Sequence, residues 1–428
     1  MKKIAAGLFL FLLLGSVFAF GQKDTAAGEP AEKPEQIVLH ILAGQSSTDV
    51  GIEDLICAAV AEKYPEITLE WECADWGEDF QAKMRACIPS GQLPDILIGK
   101  SQDVATYASM GLLGDMTGKP YLEEMLEAAK PGVTLDGKVY GLTYNALYQG
   151  VYYNKALFAE YGVQVPETLA EMDEAIRIFE AAGITPFATH FSDTWSIGNI
   201  AMQFAVNEVF RATPDWGDLF RAGKVRFSSS PDYRICYLQC KEIYDHTWAG
   251  QTFFMDEQAC DTRLVMGEAA MKVSGSWSIQ SFLDIDESFD FGIFPFPNRA
   301  GDAKLLFEPN LTFMKIASSP YQEEIDKVLT VIAEDKTLAL EILNYTKTAP
   351  MIKGVTPTFP NPSQPDIDRY AAEGRIQDVN IGNIQLKWGN FQEANARDLA
   401  DYMRGKLTLE QALEAADARQ AESKAREP

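Results

Sequence analysis

Apolar runs of strand length alternate with helical patterns along this sequence, and that alternation restricts its fold more than any other feature does. Ile37–Leu42 and Ile67–Cys73 are predicted strands, each followed by a predicted helix, and Ile96–Ile98 continues the series. Strands and helices in this order predict a parallel sheet with helices on its faces. The chain has 428 residues, more than one compact domain usually holds, so we expect two lobes or domains.

The same pattern extends through the rest of the chain. Asp136-Gly137-Lys138 predicts a hairpin turn that leads into a strand, Val139–Tyr144. Further helices are expected near 49–64, 79–88, 167–182, 195–210, 232–247, 321–343 and 388–418, and further strands near 289–294 and 311–316. Gly405 is expected to break the last helix, since glycine is unfavourable inside helices.

The first residues have the composition of an export signal. Two lysines precede an apolar run, Ile4–Leu14, and small residues follow it, which is typical of a secretory signal peptide cleaved after Ala19 or Gly21. A membrane-spanning helix would need about 20 apolar residues. We therefore expect a signal peptide over 1–21 and a flexible leader over 22–35.

The exported protein is expected to be soluble and periplasmic or extracellular. The first cysteine, Cys57, lies far beyond the cleavage region, so we expect no lipid anchor. An exported protein can form disulfides, and whether the cysteines pair remains open. The six are Cys57, Cys73, Cys87, Cys236, Cys240 and Cys260. Cys236 and Cys240 are interpreted as small buried hydrophobic residues, because their spacing with His246 matches no compact zinc site.

Charge and residue counts exclude several classes of function. The chain carries 37 basic and 62 acidic residues, a net charge of −25, and such a surface repels nucleic acid and anionic membranes. Only three histidines are present, and Pro94 stands where a phosphate loop ending at Gly99-Lys100-Ser101 would need glycine. No nucleophile motif occurs. We expect no metal, no cofactor and no catalytic residue.

Aromatic residues next to short polar residues are the remaining candidates for a functional site. They occur at predicted strand ends or helix starts: Trp76, the stretch Tyr144–Tyr148, Trp195, Trp277 and Trp388. Each could simply pack in the core, as tryptophan usually does. Alternatively, aromatic rings could stack on sugar rings while acidic and amide groups bind the hydroxyls. The position of Trp277 favours a ligand contact. Gly275 and Ser276 before it predict a loop in which a ligand or another backbone segment comes close.

Eight segments in order along residues 36–418 carry a resemblance to a known family. They are Ser90–Ile96, Gly111–Leu113, Asp136–Leu142, Tyr152–Phe158, Val165–Thr168, Gly267–Met271, Gly275–Trp277 and Gly405–Leu413. In these segments the chain resembles the extracellular solute-binding proteins of ATP-driven sugar importers, the group that includes maltose-binding protein.

The resemblance implies an α/β fold of two lobes, of the type II-like periplasmic-binding-protein class, joined by crossing hinge strands. Lobe one is expected at 36–143 plus 297–346, and lobe two at 144–296 plus 347–428. Hinges would lie near Leu142–Tyr144, Pro295–Pro297 and Tyr345–Ala349. Ligand would bind between the lobes and close them.

The resemblance also implies site residues. Trp277 lies at the family's sugar-stacking Gly-x-Trp position, and Trp195 follows the segment Thr185-Pro186-Phe187. Gln45, Ser46 and Asp95 would contact ligand from lobe one, although Asp95 could equally cap a turn. Tyr144, Trp76 and Trp388 complete the predicted set. Gly99 replaces an aromatic of the maltose-binding type, so maltodextrin is not implied.

The function predicted from these features is capture of a carbohydrate and its delivery to the permease of an ABC transporter, by a monomer without catalytic activity. An exported glycoside hydrolase with paired carboxylates is one alternative. A binding protein for a non-sugar solute, such as a polyamine, is the other.

Overall fold

One mixed sheet organises the computed structural model, which describes residues 36–45, 51–75, 78–248, 250–381 and 388–425. The predicted signal peptide and leader lie outside these residues, as do Ser46 and Trp76. The main path of the sheet has the strand order β2-β1-β3-β10-β6-β8-β7. The strands are β1 (Ile37–Gln45), β2 (Ile67–Asp75), β3 (Ile96–Gly99), β4 (Thr134–Leu135), β5 (Lys138–Val139), β6 (Leu142–Asn154), β7 (Thr185–Phe187), β8 (Ala269–Gly275), β9 (Phe291–Phe294), β10 (Leu305–Lys315), β11 (Ala349–Pro350) and β12 (Ile376–Asp378). β4 and β5 pair only with each other, in a separate two-stranded sheet.

The sheet is parallel at both ends and antiparallel in its centre. β1 pairs in parallel with β2 and β3, and β7 pairs in parallel with β8. The long strands β6 and β10 are antiparallel to each other, and β10 is antiparallel to β3 as β6 is to β8. The α/β class is thus confirmed, but the sheet is mixed rather than parallel as predicted, because β6 and β10 pair antiparallel.

Helices cover the sheet between these strands. They are α1 (Ile52–Lys63), α2 (Glu78–Ser90), α3 (Ser101–Ser109), α4 (Lys155–Glu160), α5 (Leu169–Ala181), α6 (Thr194–Ala205), α7 (Trp216–Arg221), α8 (Pro231–Asp245), α9 (Glu257–Val265), α10 (Ser278–Ile285), α11 (Gln322–Glu334), α12 (Lys336–Thr346), α13 (Gln364–Ala372), α14 (Trp388–Met403) and α15 (Leu409–Ala425). Local signals fix their ends. Thr168 and Glu171, for example, form a reciprocal capping box at the start of α5.

Two predicted elements differ from the structure for local reasons. The single helix expected over 321–343 is two helices, because the Asp335 side chain accepts hydrogen bonds from the backbone of Thr337 and Leu338 and starts α12. The predicted strand Val139–Tyr144 is divided between β5 and the much longer β6. The hairpin before it is present, with Asp136 and Gly137 both at positive φ.

Buried apolar residues form two separate clusters. The first core cluster is drawn from residues 39–146 and 307–352, and the second core cluster from residues 151–306 and 367–416. The chain passes from one cluster to the other inside β6 and again inside β10. These two strands therefore belong to both cores, which explains their unusual length.

Two further observations concern the whole described part of the chain. All six cysteines are free, and Cys236, Cys240 and Cys260 are buried in the second core cluster. Among the described residues, none of the helices is long and apolar enough to cross a membrane.

Candidate functional site

Strand ends from both core clusters converge on the middle of β6. β3 ends at Gly99, which pairs with Thr312 of β10, and Thr312 pairs with Thr143 near the start of β6. β8 runs in the opposite direction and ends at Gly275, which pairs with Gln149 of β6. Ligands of open α/β sheets bind outside the carboxyl ends of strands. A ligand site is therefore expected beside the stretch of β6 between Thr143 and Gln149.

Trp277 lies directly beyond the end of β8. The turn before it is fixed to β6, since Ser276 N donates to the Tyr148 carbonyl at 2.9 Å and Tyr148 N donates to Ser276 Oγ at 3.1 Å. The indole ring lies over Gly275, where an added Cβ would be 2.0 Å from Cζ3 of Trp277. Only glycine fits at this position with the ring as it lies.

Trp195 packs against Trp277 from the first turn of α6. The two ring centroids are 6.0 Å apart with an interplanar angle of 75°, an edge-to-face arrangement. Trp195 is 37% exposed, which is unusual for such a large apolar side chain. The structure thus brings together two of the predicted site residues.

Charged groups lie beneath the tryptophan pair. The Trp277 indole N–H donates to Glu257 Oε1 at 3.1 Å, and Lys272 Nζ donates to the same oxygen at 3.2 Å. Lys272 is fully buried and also pairs with Asp261. Burial is the largest single influence on the Glu257 pKa and raises it, but the opposing charges and hydrogen bonds, with the charge of Lys272 first among them, together leave the pKa of that carboxyl below its ordinary value. Glu257 is therefore a carboxylate at neutral pH.

His190 supports Trp195 from the other side. Its ring centroid is 5.3 Å from that of Trp195, and it is almost completely buried. Within the described part of the chain, neither ring nitrogen forms a hydrogen bond. Burial, reinforced by the charge of Lys272, lowers the pKa of His190 to about 4. The imidazole is therefore neutral at neutral pH.

A chain of polar side chains connects the two core clusters below this region. Lys100 Nζ donates to Glu308 Oε1 at 2.6 Å, and the Gln149 amide donates to the other Glu308 oxygen. Asn199 donates to Gln149 Oε1 at 3.1 Å, and Gln203 donates to Asn199 Oδ1 at 2.9 Å. We call these five residues the polar relay. It runs from the end of β3, through β10 and β6, to the helix that carries Trp195.

Three other predicted site residues lie in the part of the structure built around the first core cluster. Gln45 ends β1 and donates to Glu53 at 3.1 Å. Asp95 accepts hydrogen bonds from His40 N at 2.8 Å and Ser319 Oγ at 2.6 Å, so each of its carboxylate oxygens has a partner within the fold, and its contact with a ligand stays a prediction. Tyr144 is 0% exposed within the core, so its prediction as a ligand contact is not supported.

The remaining three predictions fall outside what the structure describes. Ser46 and Trp76 are not among the described residues, and Trp388 is the first residue of α14 with its side chain undescribed.

Sequence reasoning missed Glu257, Lys272 and His190. Lys272 interrupts the otherwise apolar and small run of β8, and a lysine at a buried strand position indicates a paired charge. Glu257 and His190 carried no comparable signal, because their role depends on contacts made across the fold.

Comparison with known proteins assigns the chain to a group. The family model described as "Bacterial extracellular solute-binding protein" matches residues 56–358. A multiple sugar-binding protein of Streptococcus mutans serotype c is 23% identical over 292 residues, which are 66% of this chain and 68% of that protein.

Solved structures share the fold over nearly the whole chain. A chitin oligosaccharide binding protein has a TM-score of 0.76 at 20% identity, covering 91% of this chain and 99% of that one. A solute-binding protein in complex with raffinose has a TM-score of 0.73 at 17% identity, covering 91% of this chain and 100% of that one. At this level of identity the structural likeness establishes the fold, which is the two-lobed solute-binding-protein architecture that the sequence predicted.

Proposed function

Since this chain belongs to the bacterial extracellular solute-binding proteins, we propose that it captures a carbohydrate between two lobes and delivers it to the permease of an ABC transporter. The chain is thus a binding protein rather than an enzyme, as the names of its relatives also indicate. The observation that carries the sugar assignment is the partly exposed pair Trp195 and Trp277 at the strand ends.

The chemistry of that pair suits a sugar ring. Aromatic faces bind the apolar C–H faces of a pyranose, and a nearby carboxylate accepts hydrogen bonds from its hydroxyls. Glu257 provides such a carboxylate in contact with Trp277. The multiple sugar-binding relative and the structural neighbours named for chitin oligosaccharide and raffinose support the same class of ligand.

The two lobes of the proposal correspond to the two core clusters. We assign the first core cluster to lobe one and the second to lobe two, with β6 and β10 crossing between them. Relative to the expected bounds, this moves residues 144–146 and 351–352 to lobe one and residues 305–306 to lobe two. The predicted hinges near 142–144, 295–297 and 345–349 remain predictions. The clusters also change between residues 352 and 367, which favours a third crossing there. In the two long strands they favour crossings between residues 146 and 151 of β6 and between residues 306 and 307 of β10, later in the chain than the predicted hinges. The polar relay spans both crossings and would couple the lobes.

The proposal includes export by the signal peptide, residues 1–21, with the leader 22–35 left at the new N-terminus and no lipid anchor. The protein would then act as a periplasmic or extracellular monomer whose partners are the sugar and the permease. A net charge of −25 disfavours anionic partners such as nucleic acid. It would equally suit a polyamine, so the experiment must include one.

A thermal-shift and calorimetric screen tests the proposed ligand class. The panel holds raffinose, stachyose, maltotriose and N-acetylated chitotriose, with spermidine and an aryl glycoside added. A sugar at 100 times its Kd should add about 2.7 kcal/mol to the free energy of unfolding. Stabilisation by spermidine alone, or turnover of the aryl glycoside, would contradict the proposal.

A further inference from the structure

The two carboxylate oxygens of Glu257 have different surroundings. Oε1 accepts all three hydrogen bonds of the group, from Trp277 Nε1 at 3.1 Å, Lys272 Nζ at 3.2 Å and Ser278 Oγ at 3.3 Å. Among the described residues, Oε2 takes part in no hydrogen bond or ion pair. The side chain is 30% exposed, so this second oxygen is not enclosed in the core.

The position of this oxygen is fixed by buried groups. Lys272 is 0% exposed and donates a hydrogen bond to Glu257, and the Trp277 indole N–H donates a second one to the same oxygen. A carboxylate that has one oxygen held by fixed donors and the other oxygen open is a pre-organised acceptor. Pre-organisation of this kind lowers the entropic cost of binding.

We propose that Glu257 determines the specificity of the sugar site, with Oε2 accepting a hydrogen bond from a ligand hydroxyl beside Trp277. The inference rests on the proposed function and assigns its substrate class as uncharged or cationic sugars rather than uronic acids. A ligand carboxylate placed against Oε2 would meet a fixed negative charge, and such repulsion discriminates between ligands as effectively as attraction does.

The expected effects follow from the strength of hydrogen bonds to charged groups. Hydrogen bonds to an ionised acceptor are about twice as strong as neutral ones. Glu257→Gln keeps the shape and an oxygen acceptor for Trp277 but removes the charge. It should weaken binding of a neutral sugar about tenfold and should not weaken binding of the corresponding acid.

The experiment uses calorimetry on the full exported chain, its E257Q variant and a matched control, Glu268→Gln. Glu268 pairs with Arg263 at 3.0 Å on the exposed surface beyond the other end of β8. The probes are whichever of raffinose, maltotriose and N-acetylated chitotriose binds most tightly, and the same trisaccharide with a terminal primary alcohol oxidised to a carboxylate.

Tryptophan emission, which depends on the surroundings of the Trp277 ring, is recorded for each protein. We expect wild type and E268Q to bind the neutral sugar more tightly than the acidic one. In E257Q the ratio of the two dissociation constants should fall at least tenfold, and tryptophan emission should stay unchanged. Equal weakening of both sugars by E257Q would mean a structural role and would overturn the inference, as would an unchanged preference. Wild-type protein that binds none of the neutral sugars of the screening panel, stachyose included, would instead contradict the proposed function itself.

Discussion

Gly275→Ala tests the geometry of the site without removing any group that could touch a ligand. The added Cβ would lie 2.0 Å from Trp277 Cζ3, and ordinary contact begins at 3.4 Å. The ring must therefore move by about 1.4 Å. A binding site tolerates displacements of only about 0.5 Å. The 3.1 Å hydrogen bond to Glu257 and the edge-to-face contact with Trp195 would both be lost.

The cost to binding can be estimated from the ring itself. A sugar covering a third of a tryptophan surface of about 200 Å² gains about 1.7 kcal/mol at 25 cal/mol per Å². Displacing the Trp277 ring should remove most of this binding free energy, which corresponds to a loss of about tenfold in affinity. The fold should survive, because Trp277 is only partly buried and can rotate toward solvent.

A double-mutant cycle isolates this mechanism. Calorimetry with the tightest-binding trisaccharide would compare wild type, G275A, Trp277→Ala and the double variant, with melting temperatures as the control for folding. If Gly275 acts through the ring, G275A should cost nothing further once Trp277 is absent. Additive losses, or wild-type affinity in G275A, would refute the reasoning.

Two further predictions concern the buried groups beneath the tryptophans. The pKa of His190 is about 4 in the folded chain and about 6.5 unfolded, so unfolding takes up a proton between these values and stability is lost as pH falls from 6.5 toward 4. In His190→Phe, the unfolding free energy measured by urea denaturation should fall by up to about 3 kcal/mol less between pH 6.5 and pH 4 than it does in wild type. An unchanged dependence of stability on pH would contradict the assignment of this loss to His190. Lys272→Met leaves Asp261 buried without its cation and should cost about 3 to 5 kcal/mol of unfolding free energy at pH 7. Lys241→Met, which breaks only a surface pair, should cost less than about 1 kcal/mol, and equal costs for the two variants would contradict this account.

The sequence predicted those parts of the fold that depend on local pattern. Alternating apolar runs placed β1, β2 and β3, and Asp136-Gly137 predicted the hairpin, because backbone preference alone decides these features. The antiparallel pairing of β6 with β10 could not be predicted in this way. It depends on contacts between strands about 160 to 170 residues apart in sequence, such as Thr143 with Thr312.

The site residues divide in the same way, into those that local sequence predicts and those that depend on contacts across the fold. Trp277 was identified because Gly275 and Ser276 signal a close backbone approach, and the structure explains the glycine by the ring that lies on it. Tyr144 looked equivalent in sequence but lies in the core, since burial is set by the neighbouring strand and not by local composition. Glu257 belongs to the site only because α9 packs beside β8.

Closure of two lobes around a sugar is the central claim, and small-angle scattering tests it most directly. Contacts to both lobes favour a closed state, and a shift from 1:99 to 99:1 requires a difference of about 5.5 kcal/mol in binding between the states. With the tightest-binding trisaccharide at saturation, confirmed by calorimetry, the radius of gyration should fall relative to the free protein. An unchanged radius of gyration at saturation would contradict capture by closure.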